Sequence, residues 1–239
     1  MRILFLLILS FIRINTFGQK RPFKPIKSII ADINDDGKTD TIILSSSLEG
    51  PATYNRISIS LAGFPKKAFR AKDEWTEVDN EFIKGNKNSV ASKWLFLKKT
   101  DKHIVILLFG VQDGAGYRRE FSILNIENGN IKMVLDDTGK LDIETPLALT
   151  DINDDHRLEF IYKLTFQCDQ ILPKGKVCAY SPYFVYTIAD TCKLNKPLMK
   201  AYNQKHYVFA GYGYSEKIEI FYPDDGSRPS IWHDKKSAQ

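Results

Sequence analysis

Apolar and polar residues alternate along much of the chain with the period of two that is typical of a half-buried β-strand. Residues 57–61 read Ile-Ser-Ile-Ser-Leu, which places three apolar side chains on one face of a sheet. Helical periodicity is confined to residues 197–204. The pattern therefore predicts a mainly β protein. The other runs that predict strands cover residues 29–30, 41–44, 94–97, 104–109, 121–126, 131–135, 183–188, 207–209 and 217–222.

Two polar interruptions of these runs predict hairpins, and hence antiparallel sheets. Residues 98–103 separate two strongly apolar runs, so we expect this turn to join two well-buried strands. Asn128-Gly129 separates another pair of runs, and both residues tolerate the positive φ that a tight hairpin turn requires.

Residues 1–18 predict a secretory signal peptide. Arg2 precedes residues 3–12, which are apolar except for Ser10. That run is too short to span a bilayer, which takes about 20 apolar residues. Thr16-Phe17-Gly18 then places small residues at a cleavage site. A buried N-terminal strand or helix is the alternative. The signal peptide predicts a secreted or periplasmic protein, with residues 19–239 as a single β-rich domain and no transmembrane segment after cleavage.

Three cysteines lie close together in the sequence, at Cys168, Cys178 and Cys192. An oxidising compartment favours a disulfide between two of them. Cys168–Cys178 is the predicted pair, because Pro173-Lys174-Gly175 predicts a turn that brings its flanking strands together. Cys178–Cys192 is the alternative.

One internal repeat relates two parts of the chain. Residues 30–42 align with residues 149–161, and both segments contain Asp-Ile-Asn-Asp-Asp, with a basic residue and then an acid further on. The alignment predicts two related halves, each with one acidic loop.

The first acidic loop offers oxygen atoms at alternate positions. Asp32, Asn34 and Asp36 stand at positions 1, 3 and 5, the Lys38 carbonyl at position 7 and Asp40 at position 9. Calcium takes six to eight oxygen ligands, and the glycine at position 6 allows the sharp turn around the ion. The sequence therefore predicts a calcium site. An Asx-rich turn without metal is the alternative.

The residues after the loop indicate which kind of calcium site this is. An EF-hand would continue as a helix with Glu at position 12, whereas Ile43 stands there within a β-branched run. The order strand, Asp-x-Asn-x-Asp-Gly-x-x-Asp, strand resembles the FG-GAP/VCBS-type calcium-loop repeat, which lies in the turns of β-propeller blades and related exported β-proteins. The second loop departs from this pattern at His156, where the glycine is expected. The resemblance implies as metal ligands the side chains of Asp32, Asn34, Asp36 and Asp40, and by the same match those of Asp151, Asn153, Asp155 and Glu159. The predicted metal sites also include position 7 of each loop, Lys38 and Arg157, through the backbone carbonyl.

Chain length limits the architectures that this resemblance allows. Two repeats supply too few blades for a large propeller. We therefore expect antiparallel sheets in a small β-propeller-like fold or a β-sandwich with two pseudo-repeats. The whole chain also resembles secreted proteins of Bacteroidota associated with surface polysaccharide, a likeness from which no active-site residue transfers.

The distribution of charge and the absence of certain motifs argue against several classes of function. The net charge of +5 is spread in pairs such as Lys66-Lys67, whereas a nucleic-acid-binding protein concentrates it in one stripe. Zinc-protease, nucleophile-elbow and P-loop motifs are absent from the sequence. The acids that could serve a glycosidase, if they are not surface charges, are Asp113, Glu120, Glu216 and Glu219.

Together these patterns predict an exported calcium-binding β-protein that acts as a non-catalytic glycan- or protein-binding module at the cell envelope. The tyrosine-rich C-terminal third supplies aromatic side chains for such a surface, with ordinary strand packing as the alternative. The alternative function is an exported hydrolase that acts on surface polysaccharide.

Overall fold

A computed structural model describes residues 22–47, 52–112, 119–137, 145–163, 170–172, 175–179, 183–213, 218–223 and 230–233. The predicted signal peptide and Cys168 lie outside these residues, as do the side chains of the four candidate glycosidase acids.

Strands dominate the described residues, so the prediction of a mainly β protein is confirmed. The predicted helix at residues 197–204 is also confirmed, within α2. The elements are β1 Lys24–Ala31, β2 Asp40–Ser46, β3 Tyr54–Ser60, β4 Lys67–Thr76, α1 Asn80–Gly85, β5 Phe96–Lys99, β6 Ile104–Gln112, β7 Arg119–Glu127, β8 Asn130–Asp137, β9 Thr145–Thr150, β10 Glu159–Lys163, β11 Gln170–Leu172, β12 Gly175–Ala179, β13 Tyr183–Ile188, β14 Cys192–Leu194, α2 Lys196–His206, β15 Tyr207–Gly213, β16 Ile218–Pro223 and β17 Ser230–His233.

The strands form three sheets. The first has eight strands in the order β1-β2-β3-β4-β6-β7-β8, with β5 paired to β6 beside β4. The second has the order β14-β13-β10-β9, and the third β11-β12-β17-β16-β15. Neighbouring strands pair in antiparallel fashion except for β12 and β17, which are parallel. The predicted antiparallel organisation is therefore confirmed.

Strand β6 is the centre of the hydrophobic core, because it is buried on both faces. Ile106 and Leu108 share one buried cluster with side chains of β2 and β3. Leu107 and Phe109 point the other way, into a second cluster with side chains of β9, β10 and β13. The first and second sheets therefore pack face to face in a sandwich-like arrangement. Apolar residues on both faces of β6 explain why its sequence is continuously hydrophobic.

Both predicted hairpins are present. Strand β5 pairs with β6 through Lys99 and Ile104, on either side of the polar turn. In the β7–β8 turn, Asn128 and Gly129 have φ values of 51° and 73°. The ring of Phe64 covers Gly129, and a Cβ there would lie 2.0 Å from it. This position therefore needs glycine both for its backbone and for the close approach of the ring.

The described residues include Cys192 and the backbone of Cys178 but not Cys168. Strands β11 and β12, which flank the predicted turn, do pair. Cys192 is a free thiol, and burial raises its pKa to about 12. The alternative Cys178–Cys192 disulfide is therefore not present. The pairing of Cys178 with Cys168 lies outside the described residues and stays a prediction.

Helices are short in this fold. Within the described part of the chain, none has the length and apolar character needed to cross a membrane.

Candidate metal centre

Both acidic loops connect two antiparallel strands at the edge of a sheet. The first joins β1 to β2, whose last and first residues, Ala31 and Asp40, are paired. The second joins β9 to β10 through the pair Thr150 and Glu159. The strand–loop–strand arrangement predicted from the sequence is therefore confirmed at both sites.

The two loops also share an unusual backbone. At position 4, Asp35 and Asp154 have φ values of 57° and 58°. At position 6, Gly37 has φ 77° and His156 has φ 65°. Histidine thus adopts the left-handed conformation for which glycine was expected, at a steric cost. The matching conformations show that the sequence repeat is also a structural repeat.

Equivalent carboxylates hold these turns closed. Asp32 Oδ2 accepts a hydrogen bond from the Gly37 amide at 2.8 Å, and Asp151 Oδ2 accepts one from the His156 amide at 2.8 Å. The carboxylate at position 5 accepts a hydrogen bond from the backbone amide two residues later. Asp36 accepts from the Lys38 amide at 2.8 Å, and Asp155 accepts from the Arg157 amide at 2.7 Å. Aspartates bonded in this way satisfy backbone donors that the tight turn would leave unpaired.

The closing carboxylate of each loop is buried and ties the loop to a neighbouring strand. Asp40, 1% exposed, accepts from the Ile33 amide at 2.8 Å and from the Ala62 amide beyond β3 at 2.8 Å. Glu159, 0% exposed, accepts from the Ile152 amide at 3.1 Å and from the Thr187 hydroxyl at 3.3 Å. Position 9 therefore anchors each loop in the fold.

The two loops differ at position 3. Asn34 Nδ2 donates to Asp36 Oδ2 at 3.2 Å, but Asn34 Oδ1 is buried without a hydrogen-bond partner. A buried acceptor that lacks a donor costs about 1–3 kcal/mol. Asn153 is exposed instead, and its Oδ1 accepts from the Asp155 amide at 3.4 Å. Of the two loops, only the first thus has a buried side-chain oxygen that lacks a hydrogen-bond partner.

A hard cation fits the donor chemistry of the first loop. Its side chains offer carboxylate and amide oxygens, and an ion bound there would give Asn34 Oδ1 the partner that it lacks. Among the described residues, no three His, Cys, Asp or Glu side chains converge as they would around a metal ion. The carboxylates of Asp32 and Asp36 point to backbone amides, so they would have to share these oxygens with an ion.

The β5–β6 turn lies between the two loops and contacts both. Lys99 Nζ donates to the Asp32 carbonyl at 3.0 Å and forms an ion pair with Asp35 at 2.7 Å. The Thr100 hydroxyl donates to the His156 carbonyl at 2.8 Å. The sequence predicted the hairpin but not this bridge.

The same turn holds the second loop through charged side chains. Lys102 donates to the Asp155 carbonyl, and Asp101 lies 3.0 Å from His156 Nδ1. The loops therefore belong to one surface of the protein, with this turn at its centre.

Beneath the second loop, His103 is the buried polar residue on which several contacts meet. Its Nε2 accepts from the Leu158 amide at 2.9 Å, so Nδ1 carries the proton and donates to Asn125 Oδ1 at 3.0 Å. The Asn125 amide in turn donates to the Ala189 carbonyl at 3.1 Å. No sequence pattern singled out His103, because its partners lie far away along the chain.

Burial lowers the pKa of His103 below its ordinary value, against the hydrogen bond that its ring donates to Asn125, which raises it. The charge of Arg157 lowers it further, while those of Glu127 and Asp155 raise it. A histidine with a lowered pKa in the folded state is neutral there at a pH where the unfolded chain already binds a proton. Its contribution to stability is therefore complete above about pH 6.5, the ordinary value, and is lost as the pH falls below it.

We expect His103→Gln to be less stable than the unmodified protein at pH 7.5 by about 1–3 kcal/mol, because buried hydrogen bonds are lost. We also expect it to lose less stability between pH 7 and pH 5. Urea unfolding in EDTA at both pH values measures the two effects. Equal pH slopes for the two proteins would contradict the assignment.

Several described aromatic residues of the C-terminal third pack against one another on and around β13. Tyr186 and Phe184 stack on Tyr162 of β10, at centroid distances of 5.7 and 4.9 Å. Tyr183 and Tyr202 meet edge to face at 5.3 Å and are half-buried. Strand packing therefore accounts for part of the tyrosine enrichment.

Comparisons with known proteins leave the family open. No family model matches the chain, and the comparisons with curated proteins and with solved structures found no match. The likeness of the two loops to the FG-GAP/VCBS-type repeat therefore stays a prediction.

Proposed function

We propose that the protein is an exported calcium-binding β-protein, in which the ion fixes the ends of strands and the scaffold acts as a non-catalytic glycan- or protein-binding module at the cell envelope. The observation that carries the calcium assignment is the buried, unpartnered Oδ1 of Asn34. It lies in a loop whose other side-chain donors are carboxylate oxygens, the ligands that calcium prefers.

The proposed ligands of the first site alternate along the loop. They are the side chains of Asp32, Asn34, Asp36 and Asp40 and the carbonyl of Lys38. The proposal requires Asp32, Asp36 and Asp40 to turn their carboxylates towards one ion, whose positive charge would offset their mutual repulsion.

The second loop is the weaker site. Its proposed ligands are the side chains of Asp151, Asn153, Asp155 and Glu159 and the carbonyl of Arg157. The same backbone supports binding, whereas the exposed Asn153 has its acceptor already engaged. We therefore propose that calcium binds here with lower affinity than in the first loop.

A structural role for the ion follows from what the first loop contacts. Asp40 connects the loop to the end of β3, and Lys99 connects it to the β5–β6 turn. An ion that orders the loop would hold three segments of the first sheet in place. Extracellular calcium at millimolar levels suffices for loops with dissociation constants of about 10⁻⁴–10⁻³ M.

Calcium titration of two matched variants tests the site. Asn34→Ala removes an unpartnered buried acceptor together with the exposed hydrogen bond from Nδ2 to Asp36, and these two changes act in opposite directions, so the calcium-free protein should keep its stability to within about 1 kcal/mol. We expect the variant to bind calcium at least tenfold more weakly in isothermal titration calorimetry.

Asn153→Ala is the matched control, since it makes the same change at position 3 of the second loop. It should leave the tighter calcium site unchanged. Unaltered calcium affinity in Asn34→Ala, or no calcium binding by the unmodified protein at 10 mM, would refute the proposal.

A further inference from the structure

A groove at the junction of β14 and α2 contains no ligand residue of either acidic loop, although Thr187 in its lining donates to Glu159 of the second loop at 3.3 Å. It has a volume of about 410 Å³ and is lined by Thr187, Lys193, Leu194, Asn195, Lys196 and Pro197. A volume of this size is in the range of small-ligand sites, about 300–1,000 Å³. A standard protein–protein interface involves about 20–30 residues on each side. The groove has far fewer lining residues, so it suits a small ligand or a short segment of a longer one.

The charge around the groove is positive. Residues 191–206 include four exposed lysines and no acid. The acid just before this segment, Asp190, is paired with Lys132 at 2.5 Å, and that contact lowers the pKa of Asp190. The exposed charges of this segment are therefore those of its lysines, which attract an anionic ligand, while the carboxyl group of Glu159 lies buried behind Thr187. The four lysines are Lys193, Lys196, Lys200 and Lys205.

The floor of the groove combines fixed polar groups with apolar surface. Asn195 Nδ2 donates to the Thr187 hydroxyl at 3.0 Å, and its Oδ1 accepts from the Leu198 amide at 3.1 Å. These bonds hold the amide in place and leave it one further donor and one further acceptor. Leu194, 36% exposed, and Pro197 add apolar surface beside it.

We propose that this groove binds an acidic saccharide segment, with a carboxylate or sulfate at Lys193 and Lys196. Sugar hydroxyls then form hydrogen bonds with the unused donor and acceptor of the Asn195 side chain, and the C–H face of the sugar ring packs on Leu194 and Pro197. Among the described residues that line the groove none is aromatic, so these residues supply no stacking platform of the kind with which proteins bind nucleobases. The inference gives a ligand class to the proposed binding module, but it does not require bound calcium.

Binding is to be measured by calorimetry with the full mature chain and a tetramer of galacturonic acid, in EDTA so that calcium cannot bridge or occupy either loop. We expect a dissociation constant of millimolar or below that weakens with salt, and no binding of a neutral galactose tetramer. Lys193→Glu/Lys196→Glu should weaken binding at least tenfold. Lys24→Glu/Lys27→Glu is the matched control, because it makes the same charge change at exposed residues of β1 and should leave binding unchanged.

Three outcomes would overturn the proposal. They are equal losses in the two double variants, binding of the neutral tetramer as tight as that of the acidic one, or binding of phosphatidylserine vesicles or a glutamate-rich peptide without binding of the acidic tetramer. Since the assay contains no calcium, its failure leaves the calcium proposal standing, and the absence of calcium binding leaves this one standing.

Discussion

Calcium at 5 mM should raise the melting temperature of the protein by about 2–9 °C over its value in EDTA. A ligand that binds only the folded state stabilises it by about 1–2 kcal/mol when its concentration is about 5–50 times its dissociation constant, which is the ratio for 5 mM calcium and constants of about 10⁻⁴–10⁻³ M. For a domain of this size, each kcal/mol corresponds to about 2–4 °C. Differential scanning fluorimetry in calcium, magnesium and EDTA measures the shift, and magnesium should give a smaller one because it retains more of its water.

Two variants separate the ion from the loop's own hydrogen bonds. Asp32→Ala should lower the melting temperature even in EDTA, because the Asp36 and Gly37 amides lose their acceptor. It should also abolish most of the calcium increment. Asp35→Asn removes the same charge from the neighbouring, 72% exposed side chain and should keep the increment. Equal melting temperatures in calcium and EDTA for the unmodified protein would rule out a stabilising ion.

The sequence was sufficient for the local part of this architecture. The strand predicted from residues 57–61 and the Asn128-Gly129 turn involve neighbours along the chain, and both are present. The alternation did not predict that Ser58, on the polar face of this strand, is buried as well. The strand–loop–strand form of the acidic segments was also predictable, because Ile43 and its neighbours favour a strand.

Contacts between distant segments could not be predicted in the same way. Nothing near Lys99 indicates that its ammonium group reaches the first loop, or that the Thr100 hydroxyl reaches the second. Both contacts depend on how β5 and β6 are placed between the other strands. Alternation gives the face on which a side chain lies but not the element opposite, so the bridge between the loops required the structure.

His156 shows how a local rule can mislead. Its side chain replaces the expected glycine, yet its φ of 65° keeps the conformation of the first loop. The Thr100 hydroxyl bonds its carbonyl and Asp101 lies beside its imidazole, so surrounding contacts offset the steric cost. Residue type alone was therefore a poor guide to the backbone of the second loop.

Stability should depend strongly on the protonation of Glu159, because its carboxyl group is both buried and close to other acids. Burial, with the charges of Asp155 and Asp151, raises its pKa from 4.5 to about 7, against the hydrogen bonds from Ile152 and Thr187. Since the pKa is higher in the folded state than in the unfolded one, the folded state keeps the proton longer. In EDTA, the stability that depends on Glu159 is complete below pH 4.5, falls as the pH rises towards 7 and stays low above it.

Glu159→Gln should therefore stabilise the calcium-free protein at pH 8, by at most about 3 kcal/mol from the difference between the two pKa values. Gln keeps an acceptor for the Ile152 amide, and the Thr187 hydroxyl can accept from its NH₂ group instead of donating. Asp40→Asn is the matched change in the first loop and should have the opposite sign. Both oxygens of Asp40 accept from backbone amides, which cannot reverse, so the variant should lose about 1–3 kcal/mol.

Calcium should reverse the effect of Glu159→Gln if the ion occupies the second loop. Bound calcium neutralises the buried carboxylate and removes the cost that Gln relieves, while the neutral amide is a weaker ligand. The free energy of unfolding of both variants, measured with urea at pH 8 in EDTA and in 5 mM calcium, gives the four values needed. Stabilisation of equal size in both solutions would show that calcium does not act through Glu159. Destabilisation in EDTA would show that its carboxylate is held favourably in the fold, contrary to the raised pKa.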